Sequence, residues 1–87
     1  MQNEDSQQIV RRFFETLYFL KKKRIIKSLS TFEKQYNIDH RNFYRLKKEP
    51  TRDSFQTAWL TYLVVDYNVS PQWLLTGSGD ILSDKPL

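Results

Sequence analysis

Residues 28–48 read SLSTFEKQYNIDHRNFYRLKK, and this stretch carries most of the information about the architecture. Its apolar residues repeat at helical spacing, which predicts a short helix over 28–36 capped by one of its serines. Asn37 follows, and asparagine tolerates the left-handed conformation that ends many helices. Asp39 is then a strong N-cap candidate for a second helix over 40–48. The stretch therefore predicts two short helices joined by a tight turn.

The flanking sequence predicts three more helices and no strand. A helix over 6–23 begins at the N-cap candidate Ser6, and its apolar stripe includes Tyr18. Another runs over 54–67, capped by Asp53 or Ser54, with a stripe that starts at Phe55 and ends before Asn68. A last short helix follows Ser70 and Pro71, with Trp73, Leu74 and Leu75 as its anchors. We expect an all-α, compact five-helix bundle containing a helix-turn-helix in one domain over 6–80, with a loose tail over 81–87.

The charge is unevenly distributed along the chain. The formal net charge is +4 on 87 residues, but 11–52 carry +9, whereas 1–10 carry −2 and 53–87 carry −3. A small domain polarised in this way favours a polyanionic partner.

Composition argues against several classes of function. The chain has no cysteine and one histidine, which leaves no thiolate zinc site, no two-histidine metal site and no cysteine nucleophile. We expect no enzyme, no cofactor and no small-molecule ligand. No apolar run approaches the ~20 residues of a membrane helix, and the acidic start does not resemble a signal peptide. We expect a cytoplasmic protein.

The second helix of the pair has the side chains of a DNA-reading element. In a helix-turn-helix, that helix enters the major groove. Arg41 and Arg45 suit guanine and Asn42 suits adenine, while His40 and Tyr44 complete the surface. Phosphate contacts, which position the protein without reading sequence, are expected from Lys21, Lys22, Lys23, Lys27, Lys47 and Arg52.

The chain resembles a known family over about residues 10–80. Residues 66–80 read DYNVSPQWLLTGSGD, similar to the YGVS-x-x-WLLTGxG ending of the lambda-repressor-like, or XRE-type, helix-turn-helix domains of phage CI-like repressors. The resemblance implies operator binding and often dimerisation. It places the base-reading positions at His40, Arg41, Asn42, Tyr44, Arg45 and Lys48.

Three positions depart from the family pattern. Asn37 replaces the turn glycine. Glu33 stands where the family has a small residue, so we expect it to crowd the helix pair. Lys47 stands where the family has an acidic residue, so the usual ion pair with an arginine of the first helix cannot form.

Two functions follow as hypotheses. The first is sequence-specific binding of double-stranded DNA, as a transcriptional regulator or phage-type repressor module, by a homodimer on a palindromic site. The alternative is a protein-interaction module that uses the same fold without base readout. An exposed apolar patch around Tyr62, Val65 and Leu82 would serve that use or a dimer contact.

Overall fold

The protein is all-helical in the part of the chain that the computed structural model describes, residues 4–50 and 55–83. Within those ranges there is no strand, and β-type pairing is confined to an isolated antiparallel bridge between Val69 and Leu82. The predicted all-α class is therefore confirmed. The five helices are α1 (Glu4–Lys22), α2 (Leu29–Gln35), α3 (His40–Lys48), α4 (Ala58–Tyr67) and α5 (Pro71–Thr76).

The chain divides into two compact units, Met1–Ser54 and Phe55–Leu87. The first contains α1, α2 and α3, and the second contains α4 and α5. Residues 55–83 contain two aspartates and neither lysine nor arginine. The strongly basic stretch 11–52 therefore falls within the first unit.

An aromatic cluster forms the core of the first unit. Phe13 of α1 is fully buried, and its ring centre lies 5.0 Å from that of Phe14, 5.8 Å from that of Phe32 in α2 and 6.3 Å from that of Phe43 in α3. All three pairs meet edge to face, an arrangement that the aromatic quadrupole favours. One cluster therefore holds all three helices of this unit together.

The N-terminal end of α1 differs from the prediction. The helix already includes residues 4 and 5, so Ser6 lies inside the first turn and is not the N-cap. An acidic residue such as Asp5 is favourable in a first turn, because the N-terminal end of the helix dipole is positive. Tyr18 was also misassigned to the buried stripe, because 43% of it is exposed.

α1 ends in a left-handed turn at Arg24, whose φ is 61°. The Ile25 N–H donates to the Leu20 carbonyl at 2.9 Å, and the Arg24 N–H donates to the Lys21 carbonyl at 3.0 Å. This pair of bonds is the Schellman motif, in which glycine is the usual left-handed residue. A side chain with a Cβ disfavours that conformation by about 1–2 kcal/mol, so Arg24 carries backbone strain.

Replacing Arg24 with glycine is expected to raise the free energy of unfolding by about 1 kcal/mol, because glycine removes the Cβ clash. Urea unfolding followed by circular dichroism measures the change. Arg24→Ala is the matched control, since it removes the same exposed charge and keeps the Cβ. Equal stability of the two variants would show that the left-handed turn is not strained.

α4 begins later than predicted. Residues 55–57 are not helical, the N-cap is Thr57, and the predicted caps Asp53 and Ser54 lie outside the described residues. The Phe55 ring packs edge-on against Trp59, with 5.2 Å between centres. Phe55 therefore packs against Trp59 of α4 although it lies before the helix begins. Its spacing from the apolar residues of α4 is helical, which is why the sequence predicted it to be part of the helix. Ala58, also assigned to the stripe, is exposed.

The connection between α4 and α5 is fixed by residues 81–83. Asn68 ends α4 in the left-handed conformation, with φ 56°, as predicted. Its side-chain amide donates to the Ser83 carbonyl at 2.9 Å, and the Ser70 N–H donates to the Ile81 carbonyl at 2.7 Å. Ser70 caps α5, and Pro71 occupies its first turn, both as predicted.

The anchors of α5 are unequal. Leu74 is buried and Trp73 is half-buried, but 54% of Leu75 is exposed, so its assignment as an anchor is wrong. Residues 84–87 of the predicted tail lie outside the described residues.

Candidate functional site

The turn between α2 and α3 is four residues long, 36–39, and is built by local hydrogen bonds. The Ile38 N–H donates to the Glu33 carbonyl at 2.9 Å, and the Asn37 N–H donates to the Lys34 carbonyl at 3.4 Å. These bonds form a second Schellman motif, with Asn37 left-handed at φ 53°. The turn predicted around Asn37 is confirmed, and its length matches the connection used in helix-turn-helix units.

α3 has the predicted bounds and the predicted cap. The Asp39 carboxylate accepts a hydrogen bond from the Asn42 N–H at 3.3 Å. Phe43 and Leu46 are buried, with exposures of 2% and 0%. Since they occupy one side of the helix, α3 is anchored by that side and presents the other to solvent.

The outward face of α3 collects most of the residues predicted to contact bases. Their spacing of four residues places them on two adjacent rows of one helix face. Asn42 is half-buried near the helix start, and Lys47, predicted as a phosphate contact, is half-buried as well. The exposed members are His40, Arg41, Tyr44, Arg45 and Lys48.

Tyr44 is surrounded by cations and by a second ring. The Lys47 and Lys48 ammonium groups lie 5.2 Å and 5.0 Å from its ring centre, and the His40 ring centre lies 5.9 Å away. Both ammonium distances are within the range of cation–π attraction. The tyrosine therefore gathers positive charge on the outward face of α3 while remaining 45% exposed.

Lys47 connects α3 to α1 through a tyrosine. Its ammonium lies 5.4 Å from the centre of the Tyr18 ring. A hydrogen bond to Tyr18 raises the pKa of Lys47 above its ordinary value, with smaller raising contributions from the charges of Tyr18, Tyr44 and Glu33. Tyr18 of α1 thus pairs with Lys47 of α3. This pair could not be predicted from the sequence, because the spacing of Tyr18 favours a place in the apolar stripe of α1.

Glu33 is the second residue whose role the sequence analysis missed. It is buried, with 6% exposure, and its Oε1 lies 2.7 Å from Nδ1 of His40 at the start of α3. Glu33 is thus a buried side chain that pairs across the turn with the first residue of α3. The signal available in the sequence was a carboxylate seven residues before a histidine, with a turn between them.

The remaining basic residues lie near the C-terminal end of α1. Lys21 and Lys22 form its last turn, and Lys23 lies in the following turn with its ammonium 5.7 Å from the Phe19 ring centre. Arg52 lies outside the described residues. The other lysines predicted to contact phosphates are all exposed, namely Lys21, Lys22, Lys23 and Lys27.

Each unit has a surface depression among its described residues. The first unit has an open cavity of about 370 Å³ beside the α2–α3 turn. Its lining residues are Ser30, Glu33, Lys34, Asn37, Ile38 and His40. The second unit has an apolar groove of about 440 Å³ between α4 and α5. Its lining residues include Leu60, Val64, Val65, Leu74 and Leu75.

Residues 4–50 and 55–83 contain neither a group of three or more His, Asp or Glu side chains that could hold a metal ion, nor a helix with the length and apolarity needed to cross a membrane.

No family model matches the chain, and no curated protein and no solved structure shows significant similarity to it. The likeness to lambda-repressor-like domains is therefore carried by the residues quoted above and stays a prediction.

Proposed function

We propose that the chain is a helix-turn-helix protein that binds double-stranded DNA sequence-specifically, as a transcriptional regulator or phage-type repressor module, with α3 as its recognition helix. The observation that carries the proposal is the outward face of α3. Five exposed polar or charged side chains lie there behind a four-residue turn, while Phe43 and Leu46 fix the opposite side in the core. A helix held in this way suits the major groove.

The arginines, the asparagine and the lysines have distinct chemical roles in this proposal. Arg41 and Arg45 each offer two hydrogen bonds to guanine O6 and N7, and Asn42 suits adenine N6 and N7. Lys21, Lys22, Lys23 and Lys27 supply positive charge for phosphates, which gives affinity without sequence preference. The proposal includes a homodimer, because paired recognition helices read half-sites one helical turn apart, and a cytoplasmic location.

Binding to random duplex DNA tests the electrostatic part of the proposal. The six lysines and arginines assigned to phosphates predict that affinity falls about 10³-fold between 50 and 200 mM salt, because each contact releases condensed counterions. Fluorescence anisotropy titrations at several salt concentrations measure the slope. Lys22→Ala should weaken binding to all duplexes alike and reduce the salt slope by about one. An affinity that does not change with salt would contradict the proposal.

A protein-interaction module is the second candidate, and the groove of the second unit favours it. Val65 and Leu75, which line the groove, are 62% and 54% exposed. Of the patch expected from sequence, Val65 is exposed, whereas Tyr62 and Leu82 are half-buried. Exposed aliphatic side chains grouped in this way are typical of contact surfaces. This candidate would replace the first if the chain bound no duplex at low salt.

A further inference from the structure

One side-chain pair joins α2 to α3 across the turn. The Glu33 side chain is 8% exposed, and its Oε1 lies 2.7 Å from Nδ1 of His40, the first residue of α3. The His40 side chain is 72% exposed. Nε2 lies on the edge of the imidazole opposite Nδ1, so Glu33 holds the inner edge of the ring while the outer edge remains at the protein surface.

The chemistry of the pair determines where the imidazole carries its proton. An ionised carboxylate can only accept hydrogen bonds, so Nδ1 must carry a proton at this distance. In neutral His40, Nε2 is therefore an acceptor. In protonated His40, Nε2 also carries a proton and becomes a donor. Histidine is the side chain that ordinarily changes charge between pH 5 and 8.

The charged and titratable groups around this pair come from all three helices of the unit. On α2, Lys34 lines the same cavity as Glu33 and His40. On α3, the Tyr44 ring lies beside the His40 ring, and Lys47 interacts electrostatically with Glu33. On α1, the centre of the Tyr18 ring lies 5.4 Å from the Lys47 ammonium.

We propose that Glu33 is a positioning residue that fixes the tautomer of His40 and so makes His40 a pH-dependent reader of DNA bases. Neutral His40 accepts a hydrogen bond at Nε2 from the exocyclic amino group of adenine or cytosine. Protonated His40 donates from Nε2 to O6 or N7 of guanine, since these are the acceptors that guanine presents in the major groove. This inference rests on the proposed DNA-binding function.

The tautomer can be measured without DNA. His40 is the single histidine of the chain, so a long-range ¹H–¹⁵N spectrum reports on it alone. At pH 8 the wild-type protein should show the Nδ1–H tautomer, although imidazole in water prefers Nε2–H. A wild-type spectrum dominated by Nε2–H would overturn the proposal, and this measurement needs no variant.

Glu33→Ala tests whether the carboxylate is the cause. Alanine offers no acceptor to Nδ1, so His40 should shift to the Nε2–H tautomer that imidazole prefers in water. The matched control is Glu15→Ala, which makes the same charge change at an exposed site on α1 and should leave the tautomer as in the wild type. An unchanged tautomer in Glu33→Ala would contradict the assigned role of Glu33.

Selection of bound duplexes from a random library at pH 5.5 and pH 8.0 tests the base readout. The position read by His40 is the one whose preference disappears in His40→Ala. There the wild type should favour guanine at pH 5.5 and adenine or cytosine at pH 8.0, with a change in preference of about fivefold, the worth of one hydrogen bond. Glu33→Ala should favour guanine at both pH values, because Nε2 of His40 then carries a proton and is a donor in both.

The outcomes separate the two claims. A wild-type preference that is the same at both pH values would overturn the proposed readout by His40 while leaving the DNA-binding function standing. A library with no enriched sequence at either pH would overturn both, whereas the tautomer measurement would still report on the pairing of Glu33 with His40.

Discussion

Phe43→Ala is expected to lower the free energy of unfolding by about 3–5 kcal/mol, the usual cost of removing a buried phenylalanine ring. Phe43 is 2% exposed, and its ring centre lies 5.1 Å from that of Phe14 and 6.5 Å from that of Phe32. The substitution removes packing against both α1 and α2 and leaves a cavity. Because small domains have stabilities of only about 5–15 kcal/mol, the loss should be plain in urea unfolding followed by circular dichroism.

The neighbouring residue provides the control for this substitution. Tyr44 is an aromatic residue one position along α3, but it is 45% exposed. Tyr44→Ala removes cation–π contacts worth about 0.5–1 kcal/mol at exposed sites and should cost no more than that. Phe43→Leu, which keeps most of the apolar volume, should also cost much less than Phe43→Ala. Similar losses for Phe43→Ala and Tyr44→Ala would contradict the orientation of α3.

Arg41→Ala and Arg45→Ala are each expected to weaken binding to a preferred duplex by about 1–3 kcal/mol, roughly 5- to 150-fold. Both arginines are exposed on the outward face of α3 and lie one helical turn apart. Under the proposed function each variant loses a bidentate contact to guanine, so the preference at one base position should relax as well. Anisotropy titrations against the preferred duplex and a scrambled duplex measure both effects.

Arg11→Ala is the matched control for the two arginine variants. Arg11 is exposed on α1, and its removal subtracts the same charge from the basic unit. Its loss should affect the preferred and scrambled duplexes equally, because a distributed charge contributes to affinity and not to sequence preference. If Arg41→Ala and Arg45→Ala behaved like Arg11→Ala, the two arginines would be general charges and α3 would not be the recognition helix.

The structural features that follow from short-range chemistry could be predicted from the sequence. The bounds of α3, its Asp39 cap, the left-handed Asn37 and the Ser70-Pro71 start of α5 all depend on hydrogen bonds between residues within a few positions of each other. Residue type and spacing are sufficient to predict such local features. They also place Phe43 on the buried side of α3, and so they indicate which side chains face outward.

The features that could not be predicted depend on contacts between elements or on competing local choices. Phe55 has the spacing of a helical residue, yet it reaches Trp59 from outside α4. The pairing of Glu33 with His40 and of Tyr18 with Lys47 requires knowing which helix faces meet. Arg24 occupies a conformation that residue preference argues against. The two cross-helix pairs depend on tertiary packing that periodicity does not encode, whereas Phe55 and Arg24 adopt one of several local conformations that their sequence allows.

The most direct test of the account is a selection of bound duplexes from a random library with the wild-type protein, Arg41→Ala and Arg45→Ala. The account predicts that the wild type enriches one half-site, repeated with two-fold symmetry, in which guanines are specified at two positions. Each arginine variant should lose the preference at one of those guanines and keep the other. Enrichment of no sequence by the wild type, or of an unchanged sequence by both variants, would contradict the claim that α3 reads DNA.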